Sequence, residues 1–286
     1  MNRRFLCFLL AVAAGSAACG LSKPTEPTEP PLPNVVNYTA IGASDATGFG
    51  SSAACVPFVP CPNGKGYVQL LTSRLRDAGK TVTLLNLGLP GAVLGREIQD
   101  IGNQLGRDIY SNFLENEVPF VATDSTLVTV FAGGNDVNTV GAALEAGYGG
   151  VDTLGYIQAR TDGFARDLRA MMDGIKARAP TARVVALNLP NLAGLPYAAG
   201  YSLARKRGLQ DLAVRFSAEI NKLTSRGAIV VDVMCDGGFY QANMYSSDGF
   251  HPNDAGYARM AEVAYPAAAT GANATPMSSC SYMKLY

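Results

Sequence analysis

From residue 34 onward the chain alternates short apolar runs rich in Val, Leu and Ile with longer stretches in which apolar residues recur every three or four positions. Short continuous runs suit strands buried on both faces, and the longer period suits amphipathic helices, so the alternation predicts helices packed on a parallel sheet. Five strands are expected, Val35 to Ile41, Thr81 to Leu87, Thr126 to Ala132, Arg183 to Leu189 and Ala228 to Val233. Helices are expected over Tyr67 to Ala78, Leu94 to Leu105, Tyr156 to Ala179, Ser202 to Ser225 and Asp254 to Tyr265. In the third helix, Ile157, Phe164, Leu168, Met171, Met172 and Ile175 fall at spacings near three, four and seven, a stripe that reads as core. The expected fold is a three-layer α/β/α sandwich with a mostly parallel, flavodoxin-like sheet of five strands. Residues 138–152, with four glycines, read as a flexible stretch, and residues 267–286 as a poorly structured tail.

The start of the chain does not belong to this pattern. Met1 to Arg4 is charged and Phe5 to Ala14 is a short greasy run, as in a secretory signal, so residues 1–18 are set aside as a signal peptide. The run ends in Ser16-Ala17-Ala18-Cys19-Gly20, which resembles a bacterial lipobox, with Ser16 where that pattern prefers Leu, Val or Ile. Cys19 is the expected lipid attachment point, and the membrane a partner through that anchor; ordinary signal cleavage is the plainer alternative. Lys23 to Asn34 carries Pro24, Pro27, Pro30, Pro31 and Pro33 and reads as a stiff spacer, extending at about 3.1 Å per residue in polyproline form. The domains are therefore 1–18 signal, 19–34 anchor and linker, 35–266 a single α/β domain, and 267–286 tail.

Charge narrows the class of function. Lys and Arg number 23, as do Asp and Glu, and charged residues make up only 16% of the chain, so nucleic acid is not an expected partner. Cys55, Cys61, Cys235 and Cys280 are an even set in a chain sent to an oxidising compartment, and disulfides are their expected use. The short Pro-containing loop between Cys55 and Cys61 favours local closure, leaving Cys235 to Cys280, one of three connectivities. A zinc site is disfavoured because the chain has one histidine and no Cys-x-x-Cys pair.

Parallel sheets gather chemistry in the loops after their strands. After the first comes Gly42-Ala43-Ser44-Asp45; after the second, Gly88-Leu89-Pro90-Gly91; after the third, Gly133-Gly134-Asn135-Asp136; after the fifth, Ser247-Asp248-Gly249-Phe250-His251-Pro252. A serine in a glycine-rich turn can be reached by a carbonyl but needs a base, and His251 is the only histidine. Asp248 stands where it could orient that ring, while the Ser44 amide, the Gly91 amide and the Asn135 side chain could stabilise an oxyanion. Alone, Ser44 reads as a turn or cap serine, Asn135 as a left-handed turn residue, and His251 as a helix-entry residue. Asp45, Asp136 and Asp236 read as turn or capping residues.

These segments resemble the SGNH, or GDSL, hydrolase family over residues 35–265. Ser44 matches its nucleophile, Gly91 and Asn135 its oxyanion glycine and asparagine, and Asp248 and His251 its Asp-x-x-His block. Ala43 departs from the pattern, since the family usually has an aspartate there. The resemblance implies a serine esterase or lipase acting on a small-molecule or lipid ester, with neither metal nor organic cofactor. The alternatives are a surface-anchored binding protein on the same fold and an acyltransferase to an alcohol. Gly48-Phe49-Gly50-Ser51-Ser52-Ala53 has dinucleotide-motif spacing but does not open a helix directly after a strand, and the Gly-x-Ser-x-Gly elbow is absent. Leu192, Leu195, Tyr197, Tyr201, Phe239, Met244 and Tyr245, in the loops after the fourth and fifth strands, are expected to form an apolar pocket.

Overall fold

The computed structural model describes residues 30–286; the signal peptide, Cys19 and most of the linker lie outside the described residues. In chain order the elements are β1 (Val35–Gly42), α1 (Ser44–Thr47), α2 (Tyr67–Asp77), β2 (Thr81–Asn86), α3 (Arg96–Gln104), α4 (Phe113–Asn116), β3 (Leu127–Phe131), α5 (Gly134–Glu145), α6 (Thr153–Arg178), β4 (Arg183–Leu187), α7 (Leu203–Asn221), β5 (Ala228–Val231) and α8 (Asp254–Thr270). The strands form one parallel sheet in the order β2-β1-β3-β4-β5.

Side chains alternate between two cores along each central strand, as the pleat requires. Val36, Tyr38 and Ala40 of β1 pack with Tyr67, Leu71 and Leu75 of α2 and with Tyr257, Met260 and a run of alanines of α8. On the other face Ile41, Val128 and Val130 meet Ile98 and Ile101 of α3, Val137 and Val140 of α5, and the stripe of α6. There Phe164 of α6 stacks on Phe216 of α7, ring centroids 4.1 Å apart. Two layers of helices therefore cover the sheet, as the alternation predicted.

Four elements depart from the sequence reading. β2 is an edge strand: Val82 is buried but Thr81, Thr83 and Leu85 are exposed, because only the face carrying Val82 and Leu84 packs on a helix layer. Most of the expected flexible stretch is helical, with α5 running through Glu145; Val137, Val140 and Ala143 bury a face that outweighs the low helix propensity of Gly134 and Gly141. α8 continues past Pro266 to Thr270, since burying Ala264, Ala267 and Ala268 offsets the lost amide bond. The tail is docked: Tyr282 stacks on Tyr240 at 4.2 Å, its carbonyl accepts from Asn191 Nδ2, and Gln210 Oε1 accepts from the Leu285 and Tyr286 amides.

The last linker residues are also fixed. Leu32 is buried, its amide donates to the Ala269 carbonyl at 3.3 Å, and its carbonyl accepts from Lys80 Nζ at 2.8 Å. Arg183, at the start of β4, donates to the Pro30 and Ala268 carbonyls. Pro30 to Asn34 therefore pack on the domain and are not free spacer.

Disulfides join Cys55 to Cys61 and Cys235 to Cys280. The second closes a separation of 45 residues and holds the tail against the loop after β5. Replacing both Cys235 and Cys280 by serine should cost about 4 kcal/mol by the loop-closure relation, measured by equilibrium denaturation under non-reducing conditions. Replacing Cys55 and Cys61 should cost less, roughly 2 kcal/mol, because the loop is short.

Candidate active site

All strands run the same way, so their carboxyl ends share one rim, and β1 and β3 are neighbours there. Chain direction reverses between them, with β2 laid on the outer side of β1 before the chain returns to β3, which opens a crevice at that point. Ser44 begins α1 two residues beyond β1 and is nearly buried. Gly48 closes that single turn in the left-handed region, φ 73°, with its Cα against Gly66, where no side chain would fit.

From the loop between β5 and α8, the His251 ring reaches back so that Nε2 lies 2.9 Å from Ser44 Oγ, while Nδ1 lies 2.6 Å from Asp248 Oδ2. The structure thus brings together three residues separated by up to 207 positions. Rings of Phe49 and Phe250 stand edge-on to the imidazole at 4.7 and 4.9 Å and limit its tilt. Asn253 fixes the loop's exit, capping α8 through Oδ1 and donating through Nδ2 to the Asn243 and Tyr245 carbonyls. Asn253, and not His251, is therefore the helix-entry residue.

Asp248 Oδ1 accepts from the Phe250 and His251 amides and from Ser246 Oγ, at 2.8 to 2.9 Å. Partial burial pushes this carboxyl up, but those bonds and the imidazole together outweigh burial and hold it at about 2. It is an anion at any ordinary pH, able to face an imidazolium. Ser246 has no sequence signature and was not anticipated.

On the opposite side, Asn135 stands in the first turn of α5 and donates from Nδ2 to the Ala92 carbonyl at 2.9 Å. One hydrogen of its amide is spent on the turn that carries Gly91, which leaves the second to serve another acceptor. Gly88 and Gly91 have different reasons to be glycine. A side chain on Gly88 would strike Ala46, whereas Gly91 is exposed, has open space around it and needs glycine for its φ of 81°.

The three other acids resolve differently. Asp236 caps the turn Gly237–Tyr240 and pairs with Arg259 at 2.6 Å, in keeping with a capping role. Asp45 makes no side-chain cap; burial pushes its carboxyl up, and it lines a cavity of about 40 Å³ with Phe131, Leu189, Tyr245 and Phe250. Leu192, Leu195, Phe239 and Tyr245, expected to line a substrate pocket, are buried around this small space, because the loops after β4 and β5 fold inward as core. Tyr197 instead braces the His251 loop, its amide donating to the Gly249 carbonyl and its ring 5.1 Å from Phe250. The larger groove, about 490 Å³ between the Cys55–Cys61 loop and β2, is lined by none of Ser44, Asp248 and His251. Among the described residues no three His, Cys, Asp or Glu side chains are grouped as a metal site.

Asp136 is not a cap either. It is fully buried, its Oδ1 accepts from the Leu94 amide at 3.0 Å, and Oδ2 has no partner. Desolvation raises it to about 7, against the Leu94 bond. The folded protein therefore holds a proton that the unfolded chain releases near pH 4, so Asp136 subtracts stability as pH rises from about 4 to 7. Asp136→Asn should flatten that decline, whose limiting slope is about 1.4 kcal/mol per pH unit for one proton, as read from denaturation midpoints at pH 4.5, 6 and 7.5. An unchanged slope would show that Asp136 is already ionised in the fold.

Comparison with solved structures shows the same fold in other proteins. It is similar to an extracellular lipase from Streptomyces rimosus, at 20% identity and TM-score 0.55, covering 80% of this chain and 97% of that one. The lipase Lip_vut3 from a goat rumen metagenome is similar at 20% identity and TM-score 0.56, covering 83% and 100%. Phospholipase A1 from Streptomyces albidoflavus NA297 follows at 18% and 0.53, covering 80% and 97%. No curated protein sequence matches the chain. Among sequence families, GDSL-like lipase/acylhydrolase matches residues 40–259, from within β1 into α8, and so spans every segment assembled at the rim. With three quarters of its length so matched, the chain is a member of the GDSL-like lipase/acylhydrolase family.

Proposed function

We propose that the protein is a serine esterase that cleaves a carboxylic ester through an acyl-enzyme on Ser44. The observation that carries this reading is the continuous hydrogen-bonded line from Ser44 Oγ through both nitrogens of His251 to the Asp248 carboxylate. In the first step His251 Nε2 takes the Ser44 proton as Oγ bonds to the ester carbonyl carbon. Asp248 stabilises the resulting imidazolium, and its three other bonds keep the carboxylate still while it does so. The carbonyl oxygen becomes an oxyanion, with the Ser44 and Gly91 amides and the free Asn135 hydrogen as its donors. The imidazolium then protonates the departing alkoxide. A water, deprotonated by the same Nε2, releases the acid and restores Ser44.

The substrate class proposed is a small-molecule or lipid ester. Two disulfides support export to an oxidising compartment. No helix among the described residues is long and apolar enough to cross a membrane; attachment through a lipid on Cys19 stays a proposal resting on the sequence.

Hydrolysis of p-nitrophenyl esters of graded acyl length tests the reading. Ser44→Ala should lower kcat/KM by several orders of magnitude, on the scale seen when a triad serine is removed, while a wild-type rate in the folded variant would retire Ser44 as nucleophile and favour a binding role. A second expectation concerns pH. Because Asp248 stays ionised down to about 2, its protonation should add nothing to the acid side of log kcat/KM between pH 4 and 7, and the slope there should not exceed one. A slope of two in that range would mean that a second acid must be ionised.

A further inference from the structure

Glu117 lies between α4 and the turn Val118–Phe120, far from every segment discussed above in sequence, yet it is buried beneath the rim. Its Oε2 accepts a hydrogen bond from the Gly42 amide at 2.9 Å. The Leu89 amide, which donates to the Gly42 carbonyl at 3.1 Å, also lies close enough to act on the carboxyl. Oε1 has no partner. No cation pairs with Glu117 among the described ion pairs, so only backbone amides work against the cost of burying a charge there.

Its two contacts are informative. Gly42 ends β1 and precedes Ser44 by two residues; Leu89 follows β2 and precedes Gly91 by two. The carboxyl therefore spans the bases of the two turns that carry the attacking oxygen and an oxyanion donor. Ala43, where the family usually has an acid, is nearly buried in the apolar core and provides no polar anchor. A polar tie to the Ser44 turn comes instead from below, from an element 75 residues away.

We propose that Glu117 is a positioning residue that sets the distance between the Ser44 turn and the Gly91 turn, acting as a hydrogen-bond acceptor for the backbone that leads into them. Burial pushes the carboxyl well above its ordinary range, with the Gly42 and Leu89 amides acting in the other direction. The effect of this positioning on turnover rests on the esterase reading; the hydrogen bond to Gly42 does not.

The test compares Glu117→Gln, which keeps an acceptor oxygen, with Glu117→Leu, which keeps bulk and removes it, in the full chain. Glu117→Gln should retain kcat near the wild type. Glu117→Leu should lower kcat by on the order of a hundredfold, the scale for a small misplacement of reacting groups, with KM little changed and a native circular dichroism spectrum. A folded Glu117→Leu variant with wild-type kcat overturns the proposal, as does a Gln variant impaired as severely as the Leu variant. Should Glu117→Leu fail to fold, Glu117→Asp, one methylene short of Gly42, takes its place with the same criteria. Hydrogen exchange at the Gly42 amide gives a readout independent of catalysis: faster in Glu117→Leu or Glu117→Asp, protected in Glu117→Gln. Unchanged exchange in all variants overturns the proposal. Ser44→Ala assayed in parallel separates the two ideas, because full activity there would sink the esterase reading and leave the exchange data to judge Glu117.

Discussion

Five strands hydrogen-bonded in parallel must all end on one side of their sheet, and that constraint organises everything else in this molecule. Each return crossing contains a helix, so both faces of the central strands are covered, and the irregular backbone that follows the strands collects at the rim. The segments holding Ser44, Gly91, Asn135 and His251 are four such stretches, drawn from across more than 200 residues of chain. No one of them is a site. Folding gathers them at one rim because β1 and β3 are neighbours and because the loop after β5 folds back over both.

The arrangement uses carboxyl groups in two opposite ways. Asp248 stands at the rim, partly in solvent, and is held as an anion by four donors. Glu117 and Asp136 lie below it, each accepting from one or two backbone amides, each with an oxygen left without a partner, and each pushed toward its neutral form by burial. The same functional group supplies charge above and shape below, and environment alone decides which. Both buried acids fasten backbone that leads into the rim, Glu117 at Gly42 and Asp136 at Leu94.

Much of this was legible beforehand because the signals were local. Strands β1, β3, β4 and β5 are short runs of apolar residues, and their bounds differ from expectation by only a residue or two. Ser44, Asn135, Asp248 and His251 were visible as polar residues in glycine-rich or turn-forming contexts after those runs. What escaped has a physical cause in each case. The exposed face of β2 depends on how far the helix layer on that side of the sheet extends, which no run of residues encodes. The helix α5 was hidden by glycines, although Val137, Val140 and Ala143 repeat at a spacing of three. The order in the tail depends on Tyr282 meeting Tyr240 and on a cross-link, both long-range. Glu117 had no signal at all, since its meaning lies wholly in the partner that folding brings to it.

The docking of Pro30 and Leu32 has a mechanical consequence. Both are tied at the amino ends of the strands, through Arg183, Lys80 and the Ala269 carbonyl, and β1 separates them from Ser44 by about 26 Å at 3.3 Å per residue. A pull arriving along the residues before Pro30 would enter the domain at its base, load α8 and β4 along their lengths, and reach the rim last. Any tether on that side thus acts as a handle that leaves the crevice pointing away from whatever holds it.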